Sequence, residues 1–456
     1  MKKIGTIDEP RKSIEEDALN IAPYANALET FIRKCDTPMT IGLQGEWGSG
    51  KTTLSNMIHT SIERSDDNSI MQIWINAWEY SLLSNPKESL GQILNKIIDE
   101  LVQKSTLTNK AKNLFKDRIQ GVGKGALRFV AGMTGGRAGA EVARELTDGF
   151  DSIGSLRDEI EKISNEIRIN NEKVEKIVIY IDDLDRISPP DAVSMLELLK
   201  NVLCIPRCVF VLAIDYDIVV KGLKEKFGDT NIDFEEWEFK AFFDKIIQLP
   251  FTMPLSQYSI GSYVTDLLVE TGFLNDKQNY QSEVMDIISY TIGGNPRSIK
   301  RLVNALSLIE ILTKQRQDVD NILDDEDLLV FSLVCMQIEY PMIYDVLISE
   351  PNFKKWTQKD TAFYITKGSE EEDKKKFKED LRIVSMTNEF DEEWEKALFR
   401  ICYNSNKYGH RVSDISRLLT FIDREILKDK NETETVNIIN GVLNKTLVTS
   451  IKKNES

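Results

Sequence analysis

At 456 residues, with 41% hydrophobic and 29% charged side chains, the chain has the length of about three ordinary domains and the balance of a globular protein. A formal net charge of −16 excludes a surface that coats nucleic acid generally and leaves only a local basic patch for that purpose. No stretch reaches the ~18 apolar residues that span a bilayer, and the start, MKKIGTIDEPRKSIEED, lacks the apolar core of a secretory leader, so no integral membrane segment and a cytoplasmic location are expected.

In chain order, IEEDALNIAPYANALETFIRKC predicts a helix from near Pro23 with Ala27, Leu28, Phe31 and Ile32 on one face. Five β-rich apolar runs follow, at 39–44, 70–76, 177–182, 208–214 and 246–251, separated by helical stretches. Continuous apolar runs of that kind suit parallel strands buried on both faces, so the fold class is α/β. Residues 85–172 interrupt the sheet after its second strand and are too long for a crossover. Within them, NPKESLGQILNKIIDELVQK predicts one amphipathic helix and DSIGSLRDEIEKISNEIRINNEKVEK a second, charged one leading back to the sheet. Between the two, residues 107–146 are rich in glycine and alanine and carry eight Lys or Arg against three acids. Beyond the last strand the pattern is helical, with Ile299, Leu302, Val303 and Leu306 at helical spacing. The domains predicted are a discontinuous core at 1–84 and 173–251, the insertion at 85–172, a helical lid at 252–315 and an all-helical region at 316–456.

Gly45, Gly50, Lys51 and Thr52 fill the pattern G-x-x-x-x-G-K-[ST] between the strand MTIGLQ and an apolar helix. Glycines there let backbone N–H groups face a phosphate, so the whole stretch Gly45, Glu46, Trp47, Gly48, Ser49, Gly50, Lys51, Thr52 and Thr53 is the candidate cradle. Lys51 is expected to reach the β and γ oxygens, and the Thr52 hydroxyl to ligate Mg²⁺. In IVIYIDDLDR an apolar strand delivers acids at its C-terminal end, the edge where open α/β sheets bind ligands. That places Asp182 near the magnesium and Asp183 where it orients or deprotonates the attacking water. Asp185 and Arg186 are either a structural ion pair with each other or an element facing a neighbouring subunit. No guanine-binding N-K-x-D is found, so the cofactors expected are ATP and Mg²⁺. Asp215, after the fourth strand, is either a polar sensor or the N-cap of the next helix. Cys204 and Cys208 are close in CIPRC, but the only histidines, His59 and His410, lie far away without ligand spacing, and no metal centre is expected at the thiols.

The set GEWGSGKTT, IWINAWEY, IDDLDR, KAFFDKIIQLPF and GGNPRSIKRLVNAL, in that order over about residues 15–310, resembles the KAP P-loop NTPases, within or near the STAND division of regulatory ATPases. The resemblance implies a P-loop ATPase whose insertion after the second strand often carries membrane-spanning helices, which this insertion lacks. It implies that Pro296 packs near the adenine from the helical lid, and that Arg297 senses the γ-phosphate. Trp47 and Trp78 resemble family positions, where aromatic packing against the sheet is expected ahead of contact with nucleotide. Members resemble regulatory components of defence against phage. The function expected is an ATP-driven switch acting with a separate effector protein, in a homo-oligomer. The competing expectation is a nucleic-acid-stimulated motor or clamp that uses the basic insertion.

Seven glycines, from Gly121 to Gly139, make a helix costly across the middle of the insertion, at about 1 kcal/mol each relative to alanine. Such a segment orders against something else. Replacing residues 107–146 with a short Gly/Ser linker is expected to leave basal ATPase within a few-fold of wild type while abolishing assembly or partner binding, read by light scattering and by pull-down.

Overall fold

The computed structural model describes residues 5–65, 68–81, 172–202, 206–227, 236–273, 281–315, 324–356, 392–403 and 408–449, with single residues and short pieces among 92–103, 161–169, 390 and 405. The Gly/Ala-rich stretch 107–146 lies outside them, as does Cys204. The chain divides into one unit formed by Pro10–Pro254 and another formed by Met1–Glu9 with Leu255–Ser456.

The first unit is an α/β fold. Strands β1 (Met39–Gln44), β2 (Ile70–Asn76), β5 (Lys176–Asp182), β6 (Cys208–Ile214) and β7 (Leu249–Thr252) form one sheet in the order β2-β5-β6-β1-β7, and every neighbouring pair is parallel. The central strands are apolar throughout because both of their faces are covered: all seven residues of β6 are buried, whereas the edge strand β2 alternates buried and half-buried positions. Helices α1 (Ala22–Lys34) and α2 (Lys51–Arg64) pack together, and His59 of α2 meets Trp74 and Tyr180 edge-on. On the other face, Ile177, Ile179, Phe210 and Leu212 bury against Val193, Leu196 and Leu199 of α4 (Pro189–Val202), beside α5 (Tyr216–Phe227). The first insertion helix joins this layer, with Ile93, Ile97 and Leu101 buried one turn apart.

Three expectations shift. The helix α1 is present, but its buried stripe is Ile21, Ala25, Leu28 and Ile32, while Ala27 is exposed and Phe31 half-buried. Asp17 accepts the Ala22 amide at 2.7 Å and so fixes where the helix starts and how it is rotated. The last strand begins at Leu249 instead of 246, because the Phe243 carbonyl at the end of α6 (Glu236–Asp244) still accepts the amides of Ile246 and Ile247. The second insertion helix does not run back to the sheet. Arg168–Ile169 (β3) and Glu172–Lys173 (β4) instead pair antiparallel on either side of two asparagines, residues that favour turns over helix.

The second unit is helical, comprising α7 (Ile260–Thr271), α8 (Gln281–Tyr290), α9 (Pro296–Gln315), α10 (Asp324–Glu339), α11 (Pro341–Ser349), α12 (Glu393–Tyr403), α13 (Val412–Phe421) and α14 (Glu432–Thr446) among the described residues. Ile299, Leu302, Val303 and Leu306 are fully buried, as their spacing predicts. Nearly every residue from Leu329 to Met336 is buried too, so α10 is the central helix of this unit. Arg411 ties three elements together, donating to the Tyr340 hydroxyl at 3.0 Å and to the Thr291 carbonyl at 2.7 Å. No helix among the described residues is long and apolar enough to cross a membrane.

Gly222 in α5 lets that helix close on the start of α4, since a Cβ there would stand 2.1 Å from the Pro189 carbonyl oxygen. Alanine ordinarily gains about 1 kcal/mol over glycine inside a helix, but overpacking costs about 1–3 kcal/mol. Gly222→Ala is therefore expected to lower the urea midpoint, against the usual direction for this substitution.

Candidate phosphate-binding site

Strand β1 ends at Gln44, and the Gly45 amide is still tied to the Ile214 carbonyl of β6 at 3.2 Å. The chain then turns through Gly48 and Gly50, at φ of 88° and 101°, before α2 begins at Lys51. Other residues resist that left-handed backbone, so the glycines set where the helix N-terminus points. A Cβ on Gly45 would lie 2.6 Å from Ser49 Oγ, so the loop closes only around a glycine there.

Lys51 is buried, and its ammonium donates to the carbonyls of Gly45 at 2.6 Å and Glu46 at 3.1 Å. It also pairs with Asp185 at 3.3 Å, an acid as buried as itself. Thr52 donates its hydroxyl to Asp182 Oδ1 at 3.2 Å, and the same oxygen takes the Asp183 amide at 2.9 Å. Burial, and then the charge of Asp183, push the Asp182 carboxyl up to about 6. The Asp215 carboxyl is raised as well, chiefly by burial and against the pull of Lys51. It accepts the Asp217 amide at 3.1 Å and so caps α5.

Asp185 and Arg186 are not a pair. The residues Leu184–Arg186 form a 3₁₀ turn, which brings positions three apart onto one side, so Arg186 meets Asp183 at 2.7 Å while Asp185 faces Lys51. Asp183 itself stands in the left-handed region at φ 59°. Trp47 is 59% exposed and Glu46 is also exposed, whereas Ser49 is buried. Thr53 Oγ1 accepts the Arg11 amide at 3.3 Å. Of the sequence-selected residues, Gly45 to Thr53, Asp182 and Asp183 thus lie in one unit, while Pro296 and Arg297 belong to the other. There Asn295 caps α9 by accepting the Arg297 amide at 3.1 Å, and the Arg297 guanidinium donates to Asp8, which also faces Lys300 at 3.5 Å. Sequence reasoning missed Asp8 and the contact of Arg186 with Trp78. Trp78 did carry a signal, as an aromatic directly after the strand that runs beside the acidic one.

The donor set fits a nucleotide with Mg²⁺: a closed glycine loop at a helix N-terminus, a lysine on that helix, and a threonine hydroxyl touching a strand-end carboxylate.

A family described as KAP family P-loop domain matches residues 21–313 of the chain. The phage T7 exclusion protein of Escherichia coli (strain K12) is 23% identical over 275 residues, covering 54% of this chain and 34% of that protein. The chain thus spans about a third of that relative's length. The ORC1 protein of Aeropyrum pernix, solved in complex with DNA, is similar over 93% of each chain at 12% identity, but with a TM-score of 0.35. A likeness that low bears on neither fold nor function.

The raised Asp182 carboxyl gives a sign to test. Its proton is held more tightly in the folded protein than in the unfolded chain, where the ordinary value is 3.8. Stability from this group is therefore full below pH 4 and is lost as the pH rises through about 6. In nucleotide-free protein with a chelator present, wild type is expected to lose roughly 3 kcal/mol relative to Asp182→Asn between pH 4 and 7. Parallel urea midpoints for the two proteins across that range would overturn the assignment.

Proposed function

Since the chain belongs to the KAP family of P-loop domains, we propose that it binds and hydrolyses ATP as a regulatory switch. The observation that carries this reading is the Lys51–Thr52 pair at the head of α2, engaged with Asp185 and Asp182 from the end of β5. In that role Lys51 exchanges the Gly45 and Glu46 carbonyls for phosphate oxygens, and Thr52 and Asp182 hold the metal. Mg²⁺ bound with the nucleotide supplies neutralisation of charge on the phosphate oxygens. Asp183 orients the attacking water. Arg297 senses the γ-phosphate, and Pro296 packs near the base.

A ligand shifts a two-state equilibrium only by its difference in affinity for the two states, and the γ-phosphate is the part of ATP that hydrolysis removes. The likeness to a phage exclusion protein supports a place in defence against phage. Among the described residues no group of three or more His, Cys, Asp or Glu gathers that could hold a metal ion on its own. The role proposed for the chain is to control a separate effector protein, acting as a homo-oligomer. The +5 balance of residues 107–146 offers an acidic partner or nucleic-acid phosphates a place to dock.

Lys51→Ala tests the reading at its base. Mg-ATP at 100 times its dissociation constant is expected to stabilise wild type by about 2.7 kcal/mol, visible as a rise in melting temperature, and to leave the variant unshifted. An equal shift in both proteins would remove the glycine loop from the binding site.

A further inference from the structure

Three acids leave the end of β5 and each has a different partner. Asp182 accepts from Thr52, and Asp185 pairs with Lys51, so both face the glycine loop and the helix that follows it. Asp183 does not. Its Oδ1 lies 2.7 Å from Arg186 Nε, and the left-handed backbone at Asp183 is what turns the chain into the 3₁₀ step that makes this pairing.

Arg186 is itself held. Its guanidinium carbon lies 4.9 Å from the centre of the Trp78 ring, the geometry of a cation over an aromatic face. The ring is there for a reason visible in the sheet. Strands β2 and β5 are parallel neighbours with Asn76 directly opposite Asp182, so the residues that follow each strand emerge side by side. Asn76 then accepts the Trp78 amide at 3.0 Å, which fixes the first turn of α3 (Ala77–Ser81) and aims the ring across at Arg186. The chain of contacts therefore runs Asn76, Trp78, Arg186, Asp183, and it joins the residues NAW after one strand to DDLDR after the next.

We propose that Arg186, braced by Trp78, is a positioning residue that holds the Asp183 carboxylate away from the reacting phosphate in the resting protein. The inference rests on the reading of the site as one that hydrolyses ATP, and it concerns how that activity is kept low. A carboxylate that accepts from a guanidinium has that oxygen engaged, and a water-activating acid needs a free oxygen within hydrogen-bond reach of the water. The pair is partly open to solvent, with 34% of the arginine side chain and 14% of the aspartate exposed, so the arginine has room to leave without unfolding the sheet.

The test uses the full chain and steady-state ATP turnover, with Mg-ATP melting shifts recorded for every variant. Arg186→Ala is expected to raise turnover roughly tenfold, part of the about 10²–10⁴ that a general base supplies. Trp78→Leu should raise it similarly, while Trp78→Phe, which keeps an aromatic face, should stay near wild type. Adding Asp183→Asn to Arg186→Ala should abolish the gain, since the gain runs through that carboxylate. A readout independent of activity is the emission assigned to Trp78 by difference from Trp78→Phe in nucleotide-free protein, which Arg186→Ala should shift. Turnover that is unchanged or lower in Arg186→Ala with the melting shift intact overturns the inference, as does equal behaviour of the leucine and phenylalanine variants or an unshifted Trp78 emission. Absence of any Mg-ATP melting shift in wild type would instead overturn the nucleotide reading beneath it.

Discussion

A buried ammonium must be compensated, and that requirement organises the site. Lys51 is 7% exposed and has its donors filled by two loop carbonyls and one carboxylate. An isolated charge at that depth would cost several kcal/mol, so the loop cannot open and the β5 end cannot move away without exposing the lysine or bringing in another anion. The glycines make the loop tight enough to present its carbonyls, and the parallel register of β1, β6 and β5 brings the acid within reach. A phosphate is the kind of anion that can replace those partners, being itself charged and rich in acceptors. Loop, helix and strand end therefore stand or fall together.

Electrostatics around this lysine are uneven. Asp185 has the ammonium beside it, while Asp182 has a hydroxyl, an amide and the repulsion of its neighbour. Burial first, and then the charge of Asp183, push the Asp182 carboxyl up to about 6 against the pull of those two hydrogen bonds. A divalent cation at Thr52 and Asp182 would reverse the sign of the local field and favour the ionised carboxylate.

Much of this was legible in the sequence, and the parts that were not have identifiable causes. Apolar runs gave the strands because a strand covered on both faces has no polar side to confuse the pattern, as in CVFVLAI. The glycine-lysine spacing gave the phosphate loop because few other backbones need glycine at those positions. Failures came where the periodicity was short or the partner remote. Ile246 and Ile247 read as strand because they are apolar, yet their amides belong to a helix end. For Asp185 and Arg186 the sequence left an ion pair and a subunit-facing element both open, because adjacency does not show that a 3₁₀ turn sends adjacent side chains apart and joins those three positions apart. Asp8 carried no local signal, since nothing near it in sequence announces Arg297.

The two hydrogen bonds between Thr6 and Asn304 have a consequence in time. Asn304 accepts the Thr6 amide at 2.6 Å and donates to the Thr6 carbonyl at 2.9 Å, across 298 positions of sequence. Synthesis delivers Thr6 first and Asn304 only after the whole of Pro10–Pro254 has been made, and domains fold as units while the chain emerges. The entropy of closing so long a loop grows only with the logarithm of its length, so distance adds little to the cost once the partner exists. What the leading residues wait for is translation itself. A nascent chain that stops short of α9 has Asp8 without Arg297 or Lys300, and Thr6 without the side-chain amide of Asn304.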